Sequence, residues 1–130
     1  MKLLLDTHFL SWMALAPNKV HRREQALISR SDLFVSAVTI FELRIKWGKF
    51  ERTRHRRGDL LDPAEALAHI SNHDIDLVPL TGEDCATLLD TAMAHHDPFD
   101  EMLLIHAQRI GARLLTRDSE LEGHPLAISA

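Results

Sequence analysis

The chain has 130 residues, 45% of them hydrophobic and 26% charged, with a net charge of −4. That length suits one domain spanning residues 1–130, and that composition suits an ordinary water-soluble globular protein rather than a disordered or fibrous chain. No apolar run approaches the roughly 20 residues of a membrane span, and Leu3-Leu4-Leu5 is too short for a secretion signal, so the reading is a cytoplasmic protein.

Lys2 to Leu5 reads as a short buried strand that stops at Asp6-Thr7, and Phe9 to Leu15 as a helix that Asp6 could cap. Ala16-Pro17-Asn18 breaks that helix, and Val20 to Ser29 resumes as a second, with Val20, Ala26, Leu27 and Ile28 spaced for partial burial. Leu33-Phe34-Val35 is the next strand, apolar on both faces as strands covered by helices on both sides tend to be.

Ser36 then caps a helix with Val38, Phe41 and Ile45 as its apolar stripe and Ile40, Leu43 and Trp47 on a flank. Glu42 projects from that stripe, where a lone carboxylate is costly unless it is paired, protonated or bound to a cation. Arg44 and Lys46 are read as lying off its helical face and so not neutralising it. Gly48-Lys49-Phe50 is expected to end the helix.

Pro63 restarts a helix through Ala64, Leu67 and Ile70, and Ile75 to Pro79 is a short third strand. Thr81 caps a helix expected from Glu83 to about His95, with Ala86, Leu89 and Met93 on its apolar face. Cys85 lies within it. As the single cysteine it excludes an internal disulfide and a thiolate metal cluster, and its apolar neighbours predict a small buried side chain.

Asp97-Pro98 opens the last long helix, with Asp97 suited to the cap, Pro98 to the first helical position, Asp100 to the first turn and Gly111 to the stop. His95 and His96 precede it. Adjacent histidines rarely share one ion and no third ligand is suitably spaced, so they are read as loop rather than as a transition-metal site. Arg113 to Thr116 is a fourth strand ending at Arg117-Asp118, and Leu126-Ala127-Ile128 a short fifth.

Charge is unevenly spread. Arg44, Lys46, Lys49, Arg52, Arg54, Arg56 and Arg57 face the single acid Glu51, so residues 44–57 carry +6 and the remainder −10. Such a strip suits contact with a polyanion such as RNA, although a solvated helix face would look the same.

Alternating short apolar strands and helices imply an α/β fold with a parallel sheet and helices on both faces. All strand carboxyl ends then share one edge, where ligands bind. Asp6 follows the first strand, Glu42 lies in the helix after the second, Asp100 opens a helix and Asp118 follows the fourth strand. Four acids on one rim would raise one another's pKa unless a cation sat among them, and an oxygen-only donor set suits Mg²⁺ or Mn²⁺. A carboxylate-held divalent ion beside a basic strip describes a phosphodiester-cleaving site.

The block Leu3 to His8, the helix Ser36 to Leu43 with Ile45-Lys46 and Gly48-Lys49, the His95 to Asp100 block and Leu114 to Asp118 strongly resemble PIN domains, and more narrowly VapC-type toxins of toxin-antitoxin pairs. The resemblance spans nearly the whole chain in the same motif order. It implies a three-layer α/β/α sandwich, a Mg²⁺- or Mn²⁺-dependent endoribonuclease, a homodimer, and a cognate antitoxin that blocks the site. By motif match it places Asp6, Glu42, Asp100 and Asp118 as the acidic quartet, Thr116 as a supporting hydroxyl, and Asp97 as an outer candidate. Glu101 departs from the pattern, since close relatives more often carry arginine there. His8 and the lack of a lysine after a late strand argue against haloacid-dehalogenase phosphatases and receiver domains. The rival reading is a catalytically inactive module of the same fold that binds RNA or protein.

Overall fold

A computed structural model describes residues 1–54 and 58–130, so Arg56 and Arg57 of the expected basic strip lie outside the described residues. Its five strands are β1 (Lys2–Leu5), β2 (Asp32–Ser36), β3 (Asp76–Val78), β4 (Arg113–Leu115) and β5 (Ala127–Ile128). They form one sheet in the order β3-β2-β1-β4-β5, every neighbouring pair parallel. The helices are α1 (Thr7–Leu15), α2 (Arg22–Ser29), α3 (Ala37–Thr53), α4 (Pro63–Asn72), α5 (Gly82–Ala86) and α6 (Pro98–Ile110).

Side chains alternate across the sheet and so divide the core in two. Leu3, Leu5 and Leu115 pack on one face with Phe9 and Leu10 of α1, Leu27 of α2 and Ala66 and Ile70 of α4. Leu4 and Leu114 pack on the other with Leu103, Leu104 and Ala107 of α6. α3 contributes to both layers, Leu43 to the first and Val38 to the second. The result is the expected helix-sheet-helix sandwich. Leu3, Leu4 and Leu5 are all at 0% exposure, and each buried leucine contributes on the order of 1.5–3 kcal/mol.

The helix starts follow the capping chemistry of the sequence. Asp6 accepts from the Phe9 amide, Ser36 from Val38, Asp62 from Ala64 and Asp97 from Phe99 and Asp100. Gly111 ends α6 at φ 71°, a left-handed conformation that favours glycine.

Four local expectations need correction. α3 passes through Gly48 and continues to Thr53, because a helical glycine costs only about 1 kcal/mol and the stop is made instead by Arg54 in a left-handed conformation. Its buried face is Val38, Thr39 and Leu43, while Phe41 and Ile45 are about half exposed, so the apolar stripe lies elsewhere than the spacing suggests. The helix expected from Glu83 to about His95 is only α5. Beyond it the backbone is satisfied by tertiary bonds, with Gln108 of α6 accepting from the Asp90 amide and donating to the Leu88 carbonyl. Leu89 and Met93 still pack against the α6 side of the core, but Cys85 is exposed rather than buried.

A buried polar chain joins α3, α5 and α6. His106 of α6, at 0% exposure, lies 2.8 Å from the Ser36 hydroxyl through Nδ1 and 2.9 Å from Asp84 Oδ2 through Nε2. Arg109 grips the same carboxylate at 2.7 and 3.0 Å. Burial opposes the charge of Asp84, but the guanidinium and the Thr81 amide outweigh it and hold the carboxyl down to about 2. With Asp84 ionised and the Val38 amide donating to Ser36, one arrangement satisfies every atom: Nε2–H donates to Asp84 and the Ser36 hydroxyl donates to Nδ1. Burial accordingly holds the His106 pKa below the ordinary histidine value.

Candidate active site

In an open parallel sheet the binding crevice lies at the strand carboxyl ends where the strand order reverses. Here that point falls between β1 and β4, since the chain leaves β1 toward β2 on one side and returns as β4 on the other. The residues just beyond these two strands are Asp6 and Thr116.

They are joined. The Thr116 hydroxyl donates to Asp6 Oδ2 at 2.8 Å and accepts from the Asp118 amide at 3.1 Å, so one hydroxyl ties the Asp6 carboxylate to the backbone carrying Asp118. Asp6 Oδ1 accepts from the Phe9 amide at 3.0 Å, and the carboxylate is nearly buried. Burial pushes its pKa up, against the Phe9 amide, the Thr116 hydroxyl and His8, whose Nδ1 stands 4.0 Å away. No lysine or arginine forms an ion pair with Asp6 among the described residues.

Glu42 reaches the same end of β1 through Thr7, whose hydroxyl donates to Glu42 Oε1 at 3.1 Å. Its other oxygen pairs with Lys46 Nζ at 2.8 Å. This overturns the expectation that Lys46 lies off its helical face, since residues four apart on a helix are neighbours. A cleft of about 650 Å³ between α1 and α3, lined in part by Thr7, Trp12, Lys46, Lys49 and Phe50, adjoins this pair.

Asp100, in the first turn of α6, is bonded to His95, with Nε2 3.1 Å from Oδ2. The same nitrogen is 3.5 Å from Glu120 Oε2. Burial raises the Asp100 pKa against the His95 bond, and the charges of Asp97 and Asp118 raise it further. The Asp100 bond raises that of His95 against partial burial, and Glu120, Asp100 and Asp118 add to the rise. His95 lies in the loop before α6, as expected, and from there it also borders the acidic site. Sequence spacing alone does not separate it from His96. Asp97 acts as the helix cap and feels the site only through its charge.

The basic residues of α3 are distributed by its turn. Lys46 pairs with Glu42, Arg44 lies over the Phe41 ring with its guanidinium 5.1 Å from the centroid, and Lys49 borders the cleft. Arg52 closes the last turn and Arg54 caps the helix.

The four acids thus fall in three groups: Asp6 with Thr116 and the Asp118 backbone, Glu42 with Thr7 and Lys46, and Asp100 with His95, in the field of Asp118. Among the described residues no three His, Cys, Asp or Glu side chains stand close enough together to hold a metal ion. The donor set nevertheless fits a hard divalent cation. It is all oxygen and strongly acidic, and no lysine or arginine forms an ion pair with Asp6 among the described residues, although Arg117 interacts with its charge; Glu42 pairs with Lys46 and Asp100 is bonded to His95.

The PIN domain family model matches residues 3–124. Among solved structures the chain resembles one from VapBC2 of Rickettsia felis bound to a DNA fragment from its promoter, with TM-score 0.58 and 13% identity over 100% of this chain and 98% of that one. It also resembles a chain of DNA-bound VapBC from Salmonella typhimurium, with TM-score 0.57 and 21% identity over 100% of this chain and 97% of that one. At these identities the likeness is one of fold. No curated protein sequence matches the chain.

Proposed function

The chain belongs to the PIN domain family, and on that premise we propose that it is a divalent-metal-dependent endoribonuclease, the toxin of a VapC-type toxin-antitoxin pair. The observation that carries the reading is the bond between Asp6 and Thr116 at the β1/β4 crevice: a nearly buried carboxylate, with no lysine or arginine paired to it among the described residues, fixed beside the backbone of a second acid. A nearly buried carboxylate with a raised pKa at a sheet crevice supports a functional role, beyond its cap bond to Phe9.

Asp6, Glu42, Asp100 and Asp118 would hold Mg²⁺ or Mn²⁺. When bound, such an ion polarises a phosphate oxygen and makes its water more acidic. The chain's own residues do the rest. Thr116 fixes the orientation of Asp6 by its hydroxyl, Thr7 that of Glu42, and His95 that of Asp100. Lys46, Lys49, Arg44, Arg52 and Arg54, with Arg56 and Arg57 in the adjoining sequence, supply cations for the phosphates of an RNA strand.

Two supports bear on partners. The similar solved structures are of VapBC complexes, which favours a cognate antitoxin for this chain, and the half-exposed Phe41 and Ile45 on α3 favour a protein contact such as a homodimer. No described helix is long and apolar enough to cross a membrane.

The test is cleavage of structured RNA with Mg²⁺ or Mn²⁺, comparing the native chain with Asp6→Ala and Asp100→Ala. Both substitutions should abolish cleavage, as should a chelator. Cleavage that survives both substitutions, or that proceeds equally in chelator, refutes the assignment. Salt-sensitive RNA binding without cleavage supports the inactive module instead.

A further inference from the structure

Arg117 separates Thr116 from Asp118 in sequence, and its side chain reaches residues of α1 and α2. Its Nε donates to Glu24 Oε2 at 2.8 Å and its Nη2 to Glu24 Oε1 at 2.5 Å, a two-point grip on α2. Nη2 also donates to the Lys19 carbonyl at 2.7 Å. The guanidinium lies 4.3 Å from the ring centroid of Trp12 and 5.4 Å from that of Phe9, both on α1, the helix that Asp6 caps. Glu24 is only 2% exposed, and its remaining contacts are to His21 within its own helix start.

We propose that Arg117 is a positioning residue for the metal-binding acids, clamping the Thr116–Asp118 segment onto α1 and α2 so that Thr116 meets Asp6. The proposal rests on the metal-dependent reading above. One side chain joins the two segments whose first residues, Asp6 and Thr116, are bonded to each other. If the clamp loosened, β4 would keep its ladder to β1, but the residues past its end would lose their anchor. Stability is a poor reason for the arrangement, because a buried ion pair is often no better than well-packed apolar side chains of similar volume. Geometry is a better one. The planar guanidinium fixes direction through its fork and its stacking, and a lysine ammonium could supply the charge but neither constraint.

The experiment uses the full chain carrying Trp47→Phe, so that Trp12 is the one remaining tryptophan. Arg117→Lys and Glu24→Gln each loosen the grip without deleting a side chain's bulk, and the double variant Glu24→Met/Arg117→Met removes both charges together. Three quantities are read: thermal midpoint, Trp12 emission, and Mn²⁺ affinity by calorimetry, with kcat and KM for RNA alongside. We expect either single variant to shift Trp12 emission and to weaken Mn²⁺ binding roughly 10- to 100-fold, as is typical when groups orienting metal ligands are removed. kcat should fall while KM for RNA holds. The double variant should recover the thermal midpoint but not the Mn²⁺ affinity.

Mn²⁺ affinity within twofold of the parent in whichever single variant folds overturns the proposal. So does a double variant that recovers both midpoint and affinity, since the pair would then be merely structural. Asp6→Asn separates the two levels. If it weakens Mn²⁺ binding while Arg117→Lys does not, the positioning role is wrong and the metal reading stands; if it leaves Mn²⁺ binding unchanged, both fall.

Discussion

Thr116→Val replaces a hydroxyl by a methyl of nearly the same shape and so isolates the bond at the centre of the site. The hydroxyl donates to Asp6 Oδ2 at 2.8 Å and accepts from the Asp118 amide at 3.1 Å. A hydrogen bond to a charged group contributes about 1.5–3 kcal/mol, and valine supplies neither donor nor acceptor. For a chain of this size roughly 4 °C of thermal midpoint corresponds to 1 kcal/mol, so a drop of about 6–12 °C is expected in metal-free buffer at pH 7. The pH dependence has a definite sign. Burial raises the pKa of Asp6 in the folded chain above the ordinary value of 3.8, so the native state binds its proton more tightly and stability falls as pH rises through the folded pKa. Removing the Thr116 donor raises that pKa further. The destabilisation must therefore be larger at pH 7 than at pH 4, where Asp6 is closer to neutral and the missing bond weaker. Melting curves at the two pH values measure it. A destabilisation under about 1 kcal/mol, or an equal one at both pH values, would refute the idea that Thr116 holds an ionised Asp6.

His106→Gln should flatten the acid limb of the stability curve. The His106 pKa is lowered in the folded chain, so its contribution is complete above the ordinary value of 6.5 and is lost as pH falls through the window below it, while Asp84, held at about 2, loses its own between 3.8 and 2. Denaturant melts between pH 7 and 5 should show a smaller slope in the variant; an unchanged slope would mean that His106 is not the group titrating on unfolding. Replacing Lys49, Arg52 and Arg54 with glutamine should reduce the slope of log affinity for single-stranded RNA against log salt by about 0.7 for each phosphate that is no longer neutralised, with Mn²⁺ affinity unchanged. A constant salt slope would mark these residues as solvating the end of α3.

What is legible in the sequence is mostly local. Asp6, Ser36, Thr81 and Asp97 cap helices with bonds that reach two or three residues, and Leu3-Leu4-Leu5 reports burial on both faces of β1 within three positions. Strand-helix alternation also yields the parallel sheet, whose carboxyl-end edge carries Asp6 and Thr116 just beyond β1 and β4. The shortfalls have physical causes. Gly48 and the segment after Ala86 mislead because helix length depends on what else satisfies the backbone, and Gln108, some twenty residues away, satisfies the second. The Lys46 pairing is within reach of simple spacing, since Lys46 stands four residues after Glu42, and the expectation that it lies off that face misapplies the helical period. His95, Glu24 and Arg117 carry no such signal. Their roles depend on partners brought close by the sheet, in the last case across 93 positions.

The central claim is that the fold brings distant acids to one crevice so that a divalent ion can sit among them. The most direct measurement is anomalous diffraction from crystals of the native chain soaked with Mn²⁺. An ion bound at the carboxyl ends of β1 and β4, with oxygens of Asp6, Asp100 and Asp118 among its ligands and Glu42 released from Lys46, is the predicted result. Full soaking with no ion there, or an ion held by other residues while Asp6 keeps only Phe9 and Thr116, would contradict it.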